Sequence, residues 1–171
     1  MTETPKRRLL IVWHSRTGAA RQLSEAAEAG ALAAAREMND ERLQVDRLEA
    51  EEVQPEHLLA AHGYVFCAPE NLASLSGAMK EFFDRNYYPV LDQLAGRPYG
   101  LAIAAGTDGD NARRQTERIA TGWRLELAIP ALIAMNGAQS PEEILAPKTL
   151  AEEHRDKAAE IGGTVAALLL L

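Results

Sequence analysis

The residues with the clearest chemical potential lie between the apolar run Leu9–Trp13 and a segment of helical periodicity: His14-Ser15-Arg16-Thr17-Gly18-Ala19-Ala20. Two hydroxyls, an arginine, a glycine and two small residues at the amino end of a helix make an anion cradle. Free backbone N–H groups and the positive end of the helix dipole both favour a phosphate there. The dipole contributes up to about 2 kcal/mol, so Ser15, Thr17 and the successive amides of Gly18, Ala19 and Ala20 must do most of the holding. The same residues also suit an ordinary helix cap by Ser15 or Thr17.

Two further loops follow apolar runs. Pro69 to Lys80 comes after Tyr64–Ala68, and Gly106-Thr107-Asp108-Gly109-Asp110-Asn111 comes after Tyr99–Ala105. The latter also reads as a plain turn in which Asp110 or Asn111 caps the next helix. No Gly-x-x-x-x-Gly-Lys-Ser/Thr run and no Gly-x-Gly-x-x-Gly follows the first strand, which argues against P-loop and dinucleotide-binding Rossmann sites. Cys67 sits inside an apolar run with no charged neighbour to activate it, the setting of an inert core thiol. His14 adjoins the first loop, where a packing role is the commoner one. No side chain is assigned a catalytic role, and no metal site is expected.

These loops need a frame. The continuous apolar runs Leu9–Trp13, Tyr64–Ala68, Tyr99–Ala105 and Ala131–Met135 read as strands covered on both faces, whereas Leu43–Leu48 alternates like an edge strand. Between them, spacings of three and four predict helices at Leu23–Met38, Ser76–Leu94, Asn111–Leu127 and Leu150–Leu168, with a short one over Val53–Ala61. Strict alternation gives an α/β fold of three layers: a five-stranded parallel sheet between helices, joined by right-handed crossovers. An edge-like second strand favours the order 2-1-3-4-5. Ligands then bind outside the carboxyl ends of the strands, near the switch point between strands one and three, which is where the three loops converge.

Composition agrees with a single domain over residues 8–171 behind a leader over 1–7. The 171 residues are 47% apolar and 25% charged, typical of an ordered globular chain. A formal charge of −7 disfavours nucleic acid and anionic membranes as partners, and no apolar run is long enough for a membrane span or a signal-peptide core. One cysteine permits no internal disulfide, consistent with a cytoplasmic location.

Read together, the loops acquire a specific likeness. Ser15-Arg16-Thr17-Gly18 resembles the Ser/Thr-x-Thr-Gly phosphate loop of flavodoxins. Pro69-Glu70-Asn71-Leu72-Ala73-Ser74-Leu75-Ser76-Gly77-Ala78-Met79-Lys80 resembles the flavin loop of NAD(P)H-dependent FMN reductases, which runs Pro-Glu-Tyr-Asn-x-Ser-x-Pro-Gly-x-Leu-Lys. Pro69, Glu70, Ser74, Gly77, Lys80 and the following Asp84 agree with that pattern; Asn71, Leu72 and the pair Ala19-Ala20 depart from it. The glycine-rich third loop is similar to the turn that closes over the other side of the flavin. The resemblance implies a flavodoxin-like fold that binds FMN through Ser15 to Ala20, Pro69 to Leu72, Ser74, Gly77 and Gly106 to Gly109. It further implies NAD(P)H as reductant, a quinone or free flavin as acceptor, and a homodimer formed through the helices that carry Tyr87, Tyr88 and Trp123. A flavodoxin-type electron carrier and a flavin-free binding module are the alternatives on the same fold.

Overall fold

In the computed structural model, which describes residues 5–171, each buried strand is one of the apolar runs and each long helix places its apolar stripe on the sheet. The elements are β1 (Arg7–Trp13), α1 (Ala19–Glu37), β2 (Leu43–Glu49), α2 (Pro55–Ala60), β3 (Gly63–Asn71), β4 (Ser74–Leu75) and α3 (Gly77–Tyr87). They continue with β5 (Pro98–Ala105), α4 (Asp110–Gly122), β6 (Glu126–Leu127), β7 (Leu132–Met135), α5 (Pro141–Leu145) and α6 (Glu152–Leu170). Of the leader expected over 1–7, residues 1–4 lie outside the described residues and Arg7 already opens β1.

The sheet runs β2-β1-β3-β5-β6, with β7 also paired to β5 and β4 paired to β3. β6 and β7 lie along the same side of β5: Pro98 and Tyr99 face Glu126 and Leu127, then Ala102–Ala105 face Leu132–Met135. They are therefore one fifth strand in two pieces, and the parallel order 2-1-3-4-5 holds. Between the pieces, Ala128-Ile129-Pro130-Ala131 spans a distance that β5 covers with Gly100 and Leu101. The surplus residues bulge out, and Pro130 has no N–H to give the ladder. β2 pairs with β1 alone, as its alternating sequence requires of an edge.

The two faces of the sheet are packed differently. On one, Leu10, Val12, Tyr64, Phe66, Leu101 and Ile103 meet Leu58 of α2, Met79, Phe82 and Phe83 of α3, and Trp123 beyond α4. On the other, Leu9, Ile11, Val65, Cys67, Ala102 and Ala104 meet the alanine-rich stripe of α1 and the inner side of α6.

Two helices are shorter than their periodicity predicts. α3 stops at Tyr87, because Pro89 follows and the segment to Leu94 turns back to bury Val90 and Leu94. α4 stops at Gly122, where Arg124 takes a left-handed φ of 58°. There Leu125 N–H bonds to Ala120 O at 3.0 Å and Arg124 N–H to Thr121 O at 2.9 Å, a Schellman closure. Phe82, Phe83 and Trp123 are core residues; of the aromatic surface expected on these helices, only Tyr87 and Tyr88 reach solvent.

Candidate functional site

At the carboxyl ends of β1, β3 and β5 a cleft of about 560 Å³ opens between the two helical layers. Its lining includes Ser15, Arg16, Thr17, Ala19 and Ala20 from the first loop, Pro69, Glu70 and Asn71 from the second, and Gly106 and Thr107 from the third. Of the other residues expected at the site, Gly18 lines an adjoining hollow on the outer side of the same loop. Leu72, Ser74, Gly77, Asp108 and Gly109 do not line the cleft: Leu72 is fully exposed, Ser74 turns to α4, and Gly109 caps α4 against Ile133 and Ala105.

The first loop presents two hydroxyls and the opening of α1 to the cleft. Gly18 adopts φ 100° and opens α1, whose amino end has no side-chain cap. A left-handed turn at this point is open to glycine at no steric cost. The Ser15 hydroxyl accepts from Gly18 N–H at 3.0 Å, closing the loop and leaving its own proton for a ligand. Among the described residues the Thr17 hydroxyl has no protein partner, and Arg16 is exposed. First-turn amides, two hydroxyls and a guanidinium are the donor set a phosphate requires.

The second loop is a tight hairpin. β3 and β4 pair Glu70 with Leu75 and Asn71 with Ser74, so Leu72 and Ala73 form a two-residue turn with φ of 51° and 61°. Positive φ at two non-glycine residues costs roughly 1–2 kcal/mol each. Side chains of α4 hold the turn in place: Asn111 Nδ2 donates to Ala73 O at 2.5 Å, and Gln115 Oε1 accepts from Leu75 N–H at 2.8 Å and from the Ser74 hydroxyl at 2.9 Å. One Glu70 carboxylate oxygen is buried without a donor, an acceptor available to a ligand N–H or O–H.

His14 ties the first two loops together. Its Nδ1 lies 2.8 Å from the hydroxyl of Ser76, which is fully buried, and Ser76 N–H bonds to Pro69 O at 3.1 Å. Burial lowers the His14 pKa from its usual value, with Arg16 adding to the effect and Glu49 and Glu51 opposing it. The thiol of Cys67 is wholly buried and pushed up to about 12 by that burial, so it supplies no nucleophile. Arg113 is engaged by Asp110 at 2.8 Å and Glu117 at 2.7 Å and does not line the cleft.

Sequence reading missed one wall. Ala104, Ala105, Asn136, Ala138, Ile144, Leu145 and Lys148 also line the cleft, the last three from α5 and the turn after it. The signal was present as Ser140-Pro141-Glu142-Glu143, a capping box with proline in the first turn. Glu143 N–H bonds to Ser140 Oγ at 3.2 Å and Ser140 N–H returns to Glu143 Oε2 at 3.2 Å.

Residues 16–139 match the family described as NADPH-dependent FMN reductase, and the chain belongs to that family. It is an oxidoreductase with a flavodoxin-like fold whose cofactor is FMN and whose reductant is NADPH. Among solved structures it resembles a WrbA-like flavodoxin from Agrobacterium tumefaciens (TM-score 0.72, 17% identity, covering 96% of this chain and 98% of that one). It also resembles an oxidoreductase from Corynebacterium diphtheriae (TM-score 0.73, 21% identity, 98% of each chain). A third likeness is to a flavodoxin from the domain Archaea (TM-score 0.75, 12% identity, 96% and 99%). At these identities the likeness is one of fold. No curated protein sequence matches the chain. No helix among the described residues is long and apolar enough to cross a membrane.

Proposed function

We propose that this protein is an NADPH-dependent reductase of the cytoplasm that delivers electron pairs through FMN to a flat acceptor such as a quinone or a free flavin. One observation carries the reading: none of the residues lining the cleft is aromatic, and its flanks are Ala19, Ala20, Ala104, Ala105 and Gly106. A carrier that exchanges single electrons with a protein profits from ring-shielding side chains. A reductase needs the ring face clear, so that nicotinamide and acceptor can stack there in turn.

The donor set of the first loop fits the phosphate, and the unpaired Glu70 oxygen fits a hydrogen-bond donor elsewhere on the cofactor. The Ser15 and Thr17 hydroxyls and the first-turn amides of Ala19 and Ala20 would hold the phosphate, with Gly18 N–H turned to Ser15 Oγ and Arg16 balancing the charge. The second loop, braced by Asn111 and Gln115, sets the position of Pro69 to Asn71 against the ring. The third loop contributes Gly106 and Thr107. Bound there, the cofactor would supply the hydride chemistry, with NADPH oxidised to NADP+ and an acceptor such as a quinone reduced by two electrons and two protons to the hydroquinone. The protein's own part is binding, orientation and access, which is why no acid or base in the cleft is required. Tyr87 and Tyr88, 36% and 78% exposed, offer the apolar surface for a homodimer.

The test is the visible spectrum of the purified protein after FMN soaking and gel filtration, followed by anaerobic NADPH and then a quinone. The expected result is retained flavin that bleaches with NADPH and recovers on adding quinone. Retained flavin that ignores NADPH would overturn the reductase reading in favour of the carrier; no retained flavin would favour the flavin-free module. Ser15→Ala with Thr17→Ala should weaken FMN binding by several kcal/mol, since each charge-assisted hydrogen bond is worth about 1.5–3 kcal/mol.

A further inference from the structure

The wall formed by α5 and the turn after it lies beyond the family match, which ends at residue 139. It is nonetheless hydrogen-bonded to the first loop and to α1. Lys148 N–H bonds to Thr17 O at 2.7 Å. The Gln22 side chain, one turn into α1, works in both directions. Its Nε2 donates to Gly18 O at 3.0 Å and to Lys148 O at 2.7 Å, and its Oε1 accepts from Leu150 N–H at 3.1 Å. One amide thus satisfies a carbonyl of the anion loop together with a carbonyl and an N–H of the wall. On the wall itself, the Lys148 ammonium closes the end of α5, donating to Glu143 O at 2.6 Å, Ile144 O at 3.1 Å and Ala146 O at 2.6 Å. That closure sets Ile144 and Leu145 at the mouth of the cleft, where Leu145 also borders the adjoining hollow.

We propose that residues 139–150 form a fixed wall of the FMN cleft and that Gln22 is the residue that fastens the phosphate loop to it. Gln22 does not line the cleft; it is a positioning residue that acts through Gly18 and Lys148. Ser15 Oγ holds Gly18 N–H and Lys148 N–H holds Thr17 O, and to these the Gln22 side chain adds the bonds that join Gly18 O, through one amide, to Lys148 O and Leu150 N–H. An unsteadied loop would have to order its amides when phosphate arrives, and that entropy would be subtracted from affinity. The inference rests on FMN occupying this cleft as proposed above.

The test measures the dissociation constants of FMN and of riboflavin, which lacks the phosphate, by flavin fluorescence on wild type, Gln22→Met and Gln22→Ala. Methionine keeps the length and helix propensity of glutamine and removes its hydrogen bonds, so the fold is retained, as a melting curve will confirm. Both variants are expected to bind FMN about tenfold more weakly while riboflavin affinity stays within about twofold. Unchanged FMN affinity in both variants would overturn the fastening role, and so would an equal loss for FMN and riboflavin, which would mark Gln22 as part of the general scaffold. Wild type that binds no FMN would instead overturn the reading of the cleft itself, a result separate from any difference between variants.

Discussion

The two faces of the sheet solve the same packing problem with opposite materials. On the face covered by α2, α3 and α4, large rings interlock: Phe66 lies 5.1 Å from Phe83 and 6.2 Å from Phe82 between ring centroids, and Phe83 lies 5.3 Å from Trp123. On the face covered by α1 and α6, backbone approaches backbone. A Cβ placed on Gly30 would fall 1.9 Å from Ala159 O, one on Gly162 1.9 Å from Ala27 O, and one on Gly100 2.3 Å from the Ile161 side chain. The first face is filled by large rings, the second by aliphatic side chains beneath helices that small residues allow to approach closely. The cleft lies where the faces meet, with the anion loop carried by the close-packed side and the hairpin by the aromatic side. The first loop leads into a helix packed backbone to backbone against α6, and the hairpin into one packed through large side chains.

The contrast predicts opposite mutational sensitivities. The largest effect should come from emptying the aromatic face: Phe66→Ala removes a wholly buried ring and should cost about 3–5 kcal/mol in chemical denaturation. A loss below about 1 kcal/mol would mean that this core collapses around the gap and is not held by its rings. Next comes filling the close-packed face. Gly162→Ala adds one methyl against the Ala27 carbonyl and should cost about 1–3 kcal/mol by forcing α6 away from α1. It should also weaken FMN binding, because Gln22 lies on α1 and the wall residue Leu150 lies two residues before α6. Gly77→Ala is the control for glycine loss as such, since nothing lies within 4 Å of the added atom. Equal destabilisation by the two substitutions would remove the distinction between the faces.

Much of this architecture was legible before any coordinates. β1, β3 and β5 are apolar without alternation because both faces are covered, and β2 alternates because it is an edge; those patterns alone fix the sheet order and hence the place of the cleft. The first loop was legible as a glycine-containing turn into a helix, because Ser15, Thr17 and Gly18 lie within a few residues of one another. Whatever depends on long-range contact was not. Nothing local reveals that Gln115 and Asn111 brace a hairpin some forty residues earlier in the chain. A turn at Leu72-Ala73 lacks the Asn-Gly composition that advertises left-handed residues. The split of the last strand follows from a register that only β5 defines. Gly77, which the resemblance placed among the FMN-binding residues, opens α3 with free space around it.

The smallest predicted effect is a titration that reports on the two ends of the sheet. At the carboxyl end, burial lowers the pKa of His14 and Arg16 lowers it further, while its Nδ1 engages Ser76. Near the amino end, burial lowers the pKa of His62, with Arg7, Arg97 and Arg8 contributing, while its Nδ1 accepts from Arg8 N–H at 3.0 Å. A histidine whose folded pKa lies below the unfolded value of 6.5 binds fewer protons folded than unfolded. Its contribution is therefore whole above about pH 6.5 and is lost as pH falls toward the lowered value. The carboxylates with lowered pKa belong to another window: Asp40 beside Arg42, Asp110 beside Arg113, and Glu143 on the Gln139 and Ser140 amides start from ordinary values of 3.8, 3.8 and 4.5. Melting temperatures at pH 7.5 and 5.5 thus isolate the histidines, and the protein should melt lower at 5.5. His62→Gln should remove part of that difference without touching the cleft, whereas His14→Gln should remove part of it and also loosen FMN binding, because His14 joins the first loop to Ser76 at the end of the hairpin. If neither substitution alters the pH difference, the two histidines are not the source of it.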